Sequence, residues 1–332
     1  MCWSWAPRGK RGLRASCSAT RRRKYSPAPS ATSLPSSPKG DRTAWGLALA
    51  TVLLWSTVAT AFKLGLRTLS PAELLAGANA VAAATLFAGL VFTGRWRALL
   101  AFSGGDHGRA LLLAVLNPWL YYLILFEAYD RLPAQVAQAL NYTWALTLTL
   151  LAVPVLGHRL RALELGAMGI AWLGAAIIAT GGSTAGLSVD DPLGVGLAFF
   201  STVLWASYWL LAARATTPPV ETLALAFLYA LPLTLGTALL TGGGWPESLV
   251  AWGAILWVGL AEMAISFVLW LLALQRAGST AGIASLIFLA PFLSLLWLEH
   301  LLGEALRPAT PLGLAVIVLG LLLRQRVSSL KT

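Results

Sequence analysis

The sequence predicts an all-α membrane protein with ten transmembrane helices in two inverted five-helix repeats. Three observations predict it. The composition is too apolar for water, apolar runs of membrane-spanning length recur between charges, and the second five runs repeat the first five.

Of 332 residues, 58% are hydrophobic and 11% charged, and the mean hydropathy is +0.73. Soluble domains carry about 25% charged residues. A bilayer hides this much apolar surface where a soluble core does not.

The net charge of +11 is a property of one end. Residues 1–42 hold ten Lys/Arg and one acid, Asp41, whereas the other 290 residues hold fourteen Lys/Arg against twelve Asp/Glu. The tail, rich in Ser, Pro and Ala (SPAPSATSLPSSP), is expected to be disordered. Anionic headgroup binding, a transit-peptide role, or a solvated extension from an upstream start all suit it. The near-neutral remainder offers no basic face for nucleic acid. Both cysteines, Cys2 and Cys17, lie in this tail, so disulfides and thiolate sites are excluded from the membrane part. No cleavable signal peptide is expected, since no apolar stretch lies near the start.

The runs, each of the roughly 20 residues that cross about 30 Å of hydrocarbon, fall near 44–66, 71–93, 109–129, 133–156, 162–181, 192–213, 220–241, 249–273, 280–301 and 309–323. Short charged turns such as DRLPA and GLRTLSPAE separate them. If the N-terminus is cytoplasmic, the inner segments beyond the tail carry ten Lys/Arg and the outer ones four: Lys63, Arg67, Arg131 and Arg307. The positive-inside rule therefore places both termini in the cytoplasm and the protein, multi-pass, in the cell membrane (inner or plasma).

The repeat can be quoted. LLWSTVATAF (53–62) answers VLWASYWLLA (203–212), and SPAELLA (70–76) answers PPVETLA (218–224). EAYDRLPA (127–134) answers LALQRAGS (272–279), and LGHRL (156–160) answers LGEAL (302–306). Spacing is 145–150 residues. Five helices per copy is odd, so the second copy enters the membrane upside down, the arrangement that supports alternating access. The domain reading is a basic tail 1–42, repeats 43–182 and 190–324, and a cytoplasmic end 325–332.

These residues resemble the EamA-type transporters of the drug/metabolite transporter superfamily over about residues 44–323. The family's fourth helix in each repeat carries a Pro and ends in Gly-Glu. The second repeat matches with Pro291 and Gly303-Glu304. The first departs twice: LNYTWALTL (140–148) has Ala145 where the family has proline, and His158 follows Gly157. The resemblance implies export of small metabolites, often amino acids, and the departures imply a fourth helix straighter than the ninth. His158 reads as a solvated loop histidine.

Polar residues inside spans usually face the bundle interior. The repeat places Asn117 opposite Glu262, the one charge between Glu247 and Arg276. A mid-span charge costs about 2.5–3.5 kcal/mol on insertion scales, so Glu262 is expected neutral or paired. It is the candidate for cavity lining and proton coupling; the alternative is a neutral acid bonded to a neighbouring group such as Ser266. Gln138, Asn141 and Tyr142 share one helical face, with Gln135 a turn earlier and Trp144 beside them. They read as cavity lining or as interhelical hydrogen bonding. Tyr121 and Tyr122 extend that wall. Trp55, Trp205, Tyr208 and Trp209, on the equivalent first and sixth helices, suit an apolar or cationic solute part, while other tryptophans serve as interfacial anchors. Lys63 and Glu127 are expected to snorkel or pair. Glu73 and Glu221, just after Pro, suit helix N-termini, as does Asp190-Asp191 before Pro192.

Motifs for enzymes are missing: no HExxH, no GxSxG, no GK[ST] loop and no paired-aspartate prenyl site. His107, His158 and His300 are too dispersed for a metal site. The expectation is a secondary transporter of a small metabolite, an exporter working by alternating access. It is not an enzyme, needs no cofactor or metal, and has a small-molecule substrate and the bilayer as partners; oligomeric state is left open. The runner-up classes are a membrane enzyme on a lipid-linked substrate and a non-transporting scaffold or sensor.

Overall fold

The computed structural model describes residues 38–329 apart from 158–159, 183–190, 245, 278–282 and 284. The basic tail to residue 37, His158 and Asp190 lie outside the described residues.

The helices follow the predicted order: α1 (Pro38–Leu66), α2 (Pro71–Phe92), α3 (Gly104–Arg131), α4 (Ala134–Val155), α5 (Ala162–Ala179), α6 (Pro192–Ala212), α7 (Pro219–Leu240), α8 (Leu249–Arg276), α9 (Leu286–Leu302) and α10 (Ala309–Ser329). Among the described residues nine are long and apolar enough to cross a membrane, and α9 is a shorter apolar helix. We call the face where α1 ends the outer face, following the charge rule.

Helix starts are set by capping. Ser70 and Glu73 form a capping box behind Pro71, and Ser103 with Asp106 does the same for α3, starting it five residues before the expected 109. Asp191 accepts from Gly194 N at 2.8 Å, which holds its carboxyl below the usual carboxylate range. The equivalent acids Glu73 and Glu221 reach further. Glu73 accepts from Gly244 N at 2.6 Å in the turn after α7. Glu221 takes a bidentate guanidinium from Arg95, 2.8 Å on each side, in the turn after α2.

Among the described residues four helices depart from regular α geometry, α9 by opening with a 3₁₀ turn at Leu286–Leu289. In α3 a π turn spans Val115–Leu120, with Asn117 extended (φ −150°, ψ 122°) before Pro118, which has no N–H to give. In α8 a π turn spans Val258–Ile265 around Glu262. The two irregular turns occupy equivalent positions of the two repeats. The departure in α4 bears on the expectation of a fourth helix straighter than the ninth: α4 is interrupted between Asn141 and Trp144 although position 145 is alanine, at the place equivalent to the 3₁₀ turn of α9. There the Thr143 hydroxyl donates to Leu140 O at 2.7 Å.

The repeats are interlocked. Helix α1 packs on α8 and α9 while α6 packs on α3 and α4; α2 packs on α7 and α8, α7 on α3, and α5 on α10. Exchanging each helix with its counterpart five places along returns the same set of these principal packings, as a pseudo-two-fold axis requires. The α5–α10 seam depends on missing side chains. A Cβ on Gly174 would lie 2.5 Å from Gly313 O, and one on Gly313 would lie 2.6 Å from Gly174 O. Small residues let membrane helices approach this closely. Large apolar residues such as Phe92, Leu163, Leu239 and Leu312 are exposed, as suits lipid.

Candidate functional site

Where α1, α3, α4, α6, α8 and α9 converge, a narrow cavity of about 70 Å³ lies at mid-bundle and in its outer half. Eight of the sequence-predicted residues line it: Trp55, Tyr121, Gln138, Asn141, Tyr142, Trp144, Trp205 and Glu262.

Glu262 is held from one side. Tyr122, fully buried on α3, donates to its Oε1 at 2.9 Å. Its Oε2 is buried and has no hydrogen-bond partner. Ser266 bonds the main-chain carbonyl of Glu262 and not its carboxyl, which corrects the suggested pairing. The indole Nε1 of Trp55, also buried, is likewise without a partner. The cavity thus presents one carboxyl oxygen and one indole N–H not committed to the protein. A buried polar group left in that state costs about 1–3 kcal/mol.

The opposite wall is aromatic and amide. Tyr121 stacks on Trp205 with ring centroids 4.5 Å apart and sets its hydroxyl 3.3 Å from Asn141 Oδ1. The Asn141 amide donates to Ser201 on α6 at 3.0 Å, so that side chain does both things the sequence allowed: it lines a cavity and joins helices.

Three predicted wall residues sit elsewhere. Gln135 belongs to the outer rim of the bundle: its amide donates to Glu304 and to Ala305 O, each at 2.9 Å, and accepts from Arg307 N at 3.0 Å. Every polar atom of that side chain is spent on the α9–α10 turn. Tyr208 backs Trp205, stacked at 5.9 Å, without reaching the cavity. Asn117 is fully buried with its amide facing Tyr208, yet neither amide atom meets a partner in full hydrogen-bonding geometry.

The sequence reading missed Val58, Ala59, Phe62, Leu125, Tyr129 and Ile287, which complete the lining. A signal existed. Residues 55, 58, 59 and 62 follow helical spacing from Trp55, and 121, 125 and 129 follow it from Tyr121, so each stripe extends outward from a polar or aromatic residue already singled out. Of the remaining expectations, Glu127 pairs with Arg131 at 3.0 Å. Lys63 donates to the carbonyls of Tyr129 and Asp130. Trp209 packs edge-on against Trp205 at 5.7 Å. His107 bonds Tyr229 and His300 bonds Leu296 O.

The chain is similar to an uncharacterized transporter, YvbV, of Bacillus subtilis (strain 168): 27% identical over 216 residues, covering 63% of this chain and 68% of that protein. In fold it is similar to a solved chain described only as a crystal structure of a protein, with a TM-score of 0.60 at 22% identity, covering 86% of this chain and 99% of that one. A family model described as the EamA-like transporter family matches twice, over residues 43–180 and 192–324. Two matched copies of five apolar helices, joined across a pseudo-two-fold axis, make this a multi-pass membrane protein, and the chain belongs to the EamA-like transporter family.

Proposed function

We propose that the protein is a secondary transporter that exports a small polar or amphipathic metabolite, amino-acid-like in character, by alternating access. Repeats 43–182 and 190–324 act as its two halves, in a cell membrane with both termini cytoplasmic. The observation that carries the reading is the unpaired, buried Oε2 of Glu262 in a cavity lined from both repeats. A charge-capable group in hydrocarbon is costly to keep, and is generally found where a polar solute or ion passes.

Further support comes from the size and make-up of the cavity. At about 70 Å³ it falls below the roughly 300–1,000 Å³ usual for small-molecule sites, so a metabolite enters only if the halves part. The π turns at Asn117 and Glu262 are natural places for α3 and α8 to bend. Trp55 and Trp205 offer apolar faces, while Gln138, Asn141 and Tyr142 offer hydrogen bonds. Glu262 releases its proton when the cavity takes up water or a cationic group, coupling proton and solute movement.

The test is flux in proteoliposomes holding the full chain, across a metabolite panel, with and without a pH gradient. Solute-specific flux that responds to the gradient supports the reading. Flux indifferent to the gradient and unchanged in Glu262→Gln removes the coupling step, and no flux for any solute removes transport itself.

A further inference from the structure

We propose that the outer mouth of the bundle holds a second solute site, separate from the Glu262 cavity, which grips a small zwitterion by its carboxylate and its ammonium together.

A cavity of about 290 Å³ opens at the outer ends of α1, α3 and α9, lined by Lys63, Leu66, Arg67, Asp130, Leu302 and Glu304. Four of those six residues are ionisable, in a chain where 11% are charged. Two of the four are already engaged. The Glu304 carboxylate accepts from Ala134 N at 3.2 Å, Gln135 N at 3.3 Å and Gln135 Nε2 at 2.9 Å, which caps the start of α4. The Lys63 ammonium is held by the carbonyls of Tyr129 and Asp130 at the end of α3.

The other two carry no hydrogen bond, although the Asp130 carboxylate lies close enough to the Lys63 ammonium to attract it. Neither the Arg67 guanidinium nor the Asp130 carboxylate makes a hydrogen bond or ion pair with the described residues, and the two are not bonded to each other. Arg67 follows Lys63 by one helical turn, a like-charge spacing that is unfavourable unless an anion lies nearby. A lone anion would meet Asp130 and Glu304, and a lone cation would meet Lys63 and Arg67. A molecule carrying both charges satisfies Arg67 and Asp130 at once, and its competitors are rejected by repulsion as much as by lost attraction. The guanidinium is a planar fork matched to a carboxylate. Both side chains are exposed, so the site is weak and exchanges quickly, as suits a station on a path.

The two cavities share a wall. Phe62 and Tyr129 line the inner one, while their chain neighbours Lys63 and Asp130 line the mouth. The rings of Phe62 and Tyr129 stand 5.2 Å apart and form the partition. On the transport reading, on which its physiological role rests, a solute leaving Glu262 parts these rings and meets Arg67 and Asp130 next.

Occupancy can be read without flux. In the full chain with Cys2→Ser and Cys17→Ser, a Leu302→Cys reporter is labelled by a membrane-impermeant maleimide. Glycine and the longer 4-aminobutyrate serve as zwitterionic probes, with acetate and methylammonium as their halves. At least one zwitterion is expected to slow labelling about threefold at about twice its dissociation constant, the halves much less. Arg67→Gln and Asp130→Asn should each remove the protection, read as the ratio of that variant's own labelling rates with and without the zwitterion, since the charge change also alters the basal reactivity of the thiol. No protection by either zwitterion overturns the site, as does protection that survives both substitutions. Equal protection by acetate alone overturns the zwitterion class. Protection without any flux would leave the site standing and sink the transport reading, and flux without protection would do the reverse.

Discussion

Tyr122 and Glu262 meet at 2.9 Å, joining the third helix of one repeat to the third helix of the other at the middle of the bundle. The tyrosine is fully buried and its proton goes to the carboxyl. Tyr122→Phe should therefore leave both carboxyl oxygens without a partner and lower stability by about 1–3 kcal/mol. Thermal unfolding in detergent measures it. A cycle with Glu262→Gln should be non-additive, because the two side chains act through one bond.

Glu262→Gln alone keeps the shape of the carboxyl and loses the ability to ionise. Flux in that variant is expected to persist with no response to a pH gradient. A gradient response as large as that of the unaltered protein would assign the proton to another group.

At the inner face the Arg95–Glu221 pair invites a graded test. Glu221 is buried with its side chain 4% exposed, whereas Arg95 is 44% exposed. Arg95→Ala leaves a buried carboxylate without its partner. Breaking a fully buried pair costs about 3–5 kcal/mol. Water around the arginine screens this one, so about 1–3 kcal/mol is expected. Arg95→Lys should recover only part, since the ammonium lacks the fork that makes two bonds. Chemical denaturation of the three proteins side by side gives the ranking.

Gly174 and Gly313 make a steric prediction. Either residue changed to Val drives new carbon into the backbone of the facing helix, less than 3 Å away. Overpacking of this kind costs about 1–3 kcal/mol. Because both substitutions open the same seam, the double variant should cost less than the sum. Melting temperatures of the four proteins decide it.

Most of the architecture was legible because hydrocarbon imposes it. Each span is a run of apolar residues whose ends are marked by charge, and the odd repeat follows from quoting Trp55 against Trp205 or Glu73 against Glu221. Local irregularity was less legible. Pro118 hinted at the break in α3, but nothing in GLAEMAISFVLW (259–270) announces a π turn, and Ala145 argued for a fourth helix straighter than the ninth, whereas both are interrupted at equivalent places. In the amide stripe, Gln138 and Asn141 reach the cavity, whereas Gln135 is taken by Glu304, Ala305 and Arg307, about 170 residues away. Spacing along one helix tells which side chains share a face. It does not tell which distant segment arrives first to occupy them.

The two acid-held turns, Glu73 on Gly244 and Glu221 on Arg95, are the same device built from different chemistry. Two halves alike in every bond would give mirror conformations of equal energy, a degenerate pair. Here one turn is held by a neutral main-chain amide and the other by an ion pair that salt weakens. On the alternating-access reading proposed above, that difference gives the two conformations unequal energies, with a balance that responds to ionic strength. It cannot set the direction of net flow, because a bias between states cancels around a closed cycle and only a gradient survives the sum.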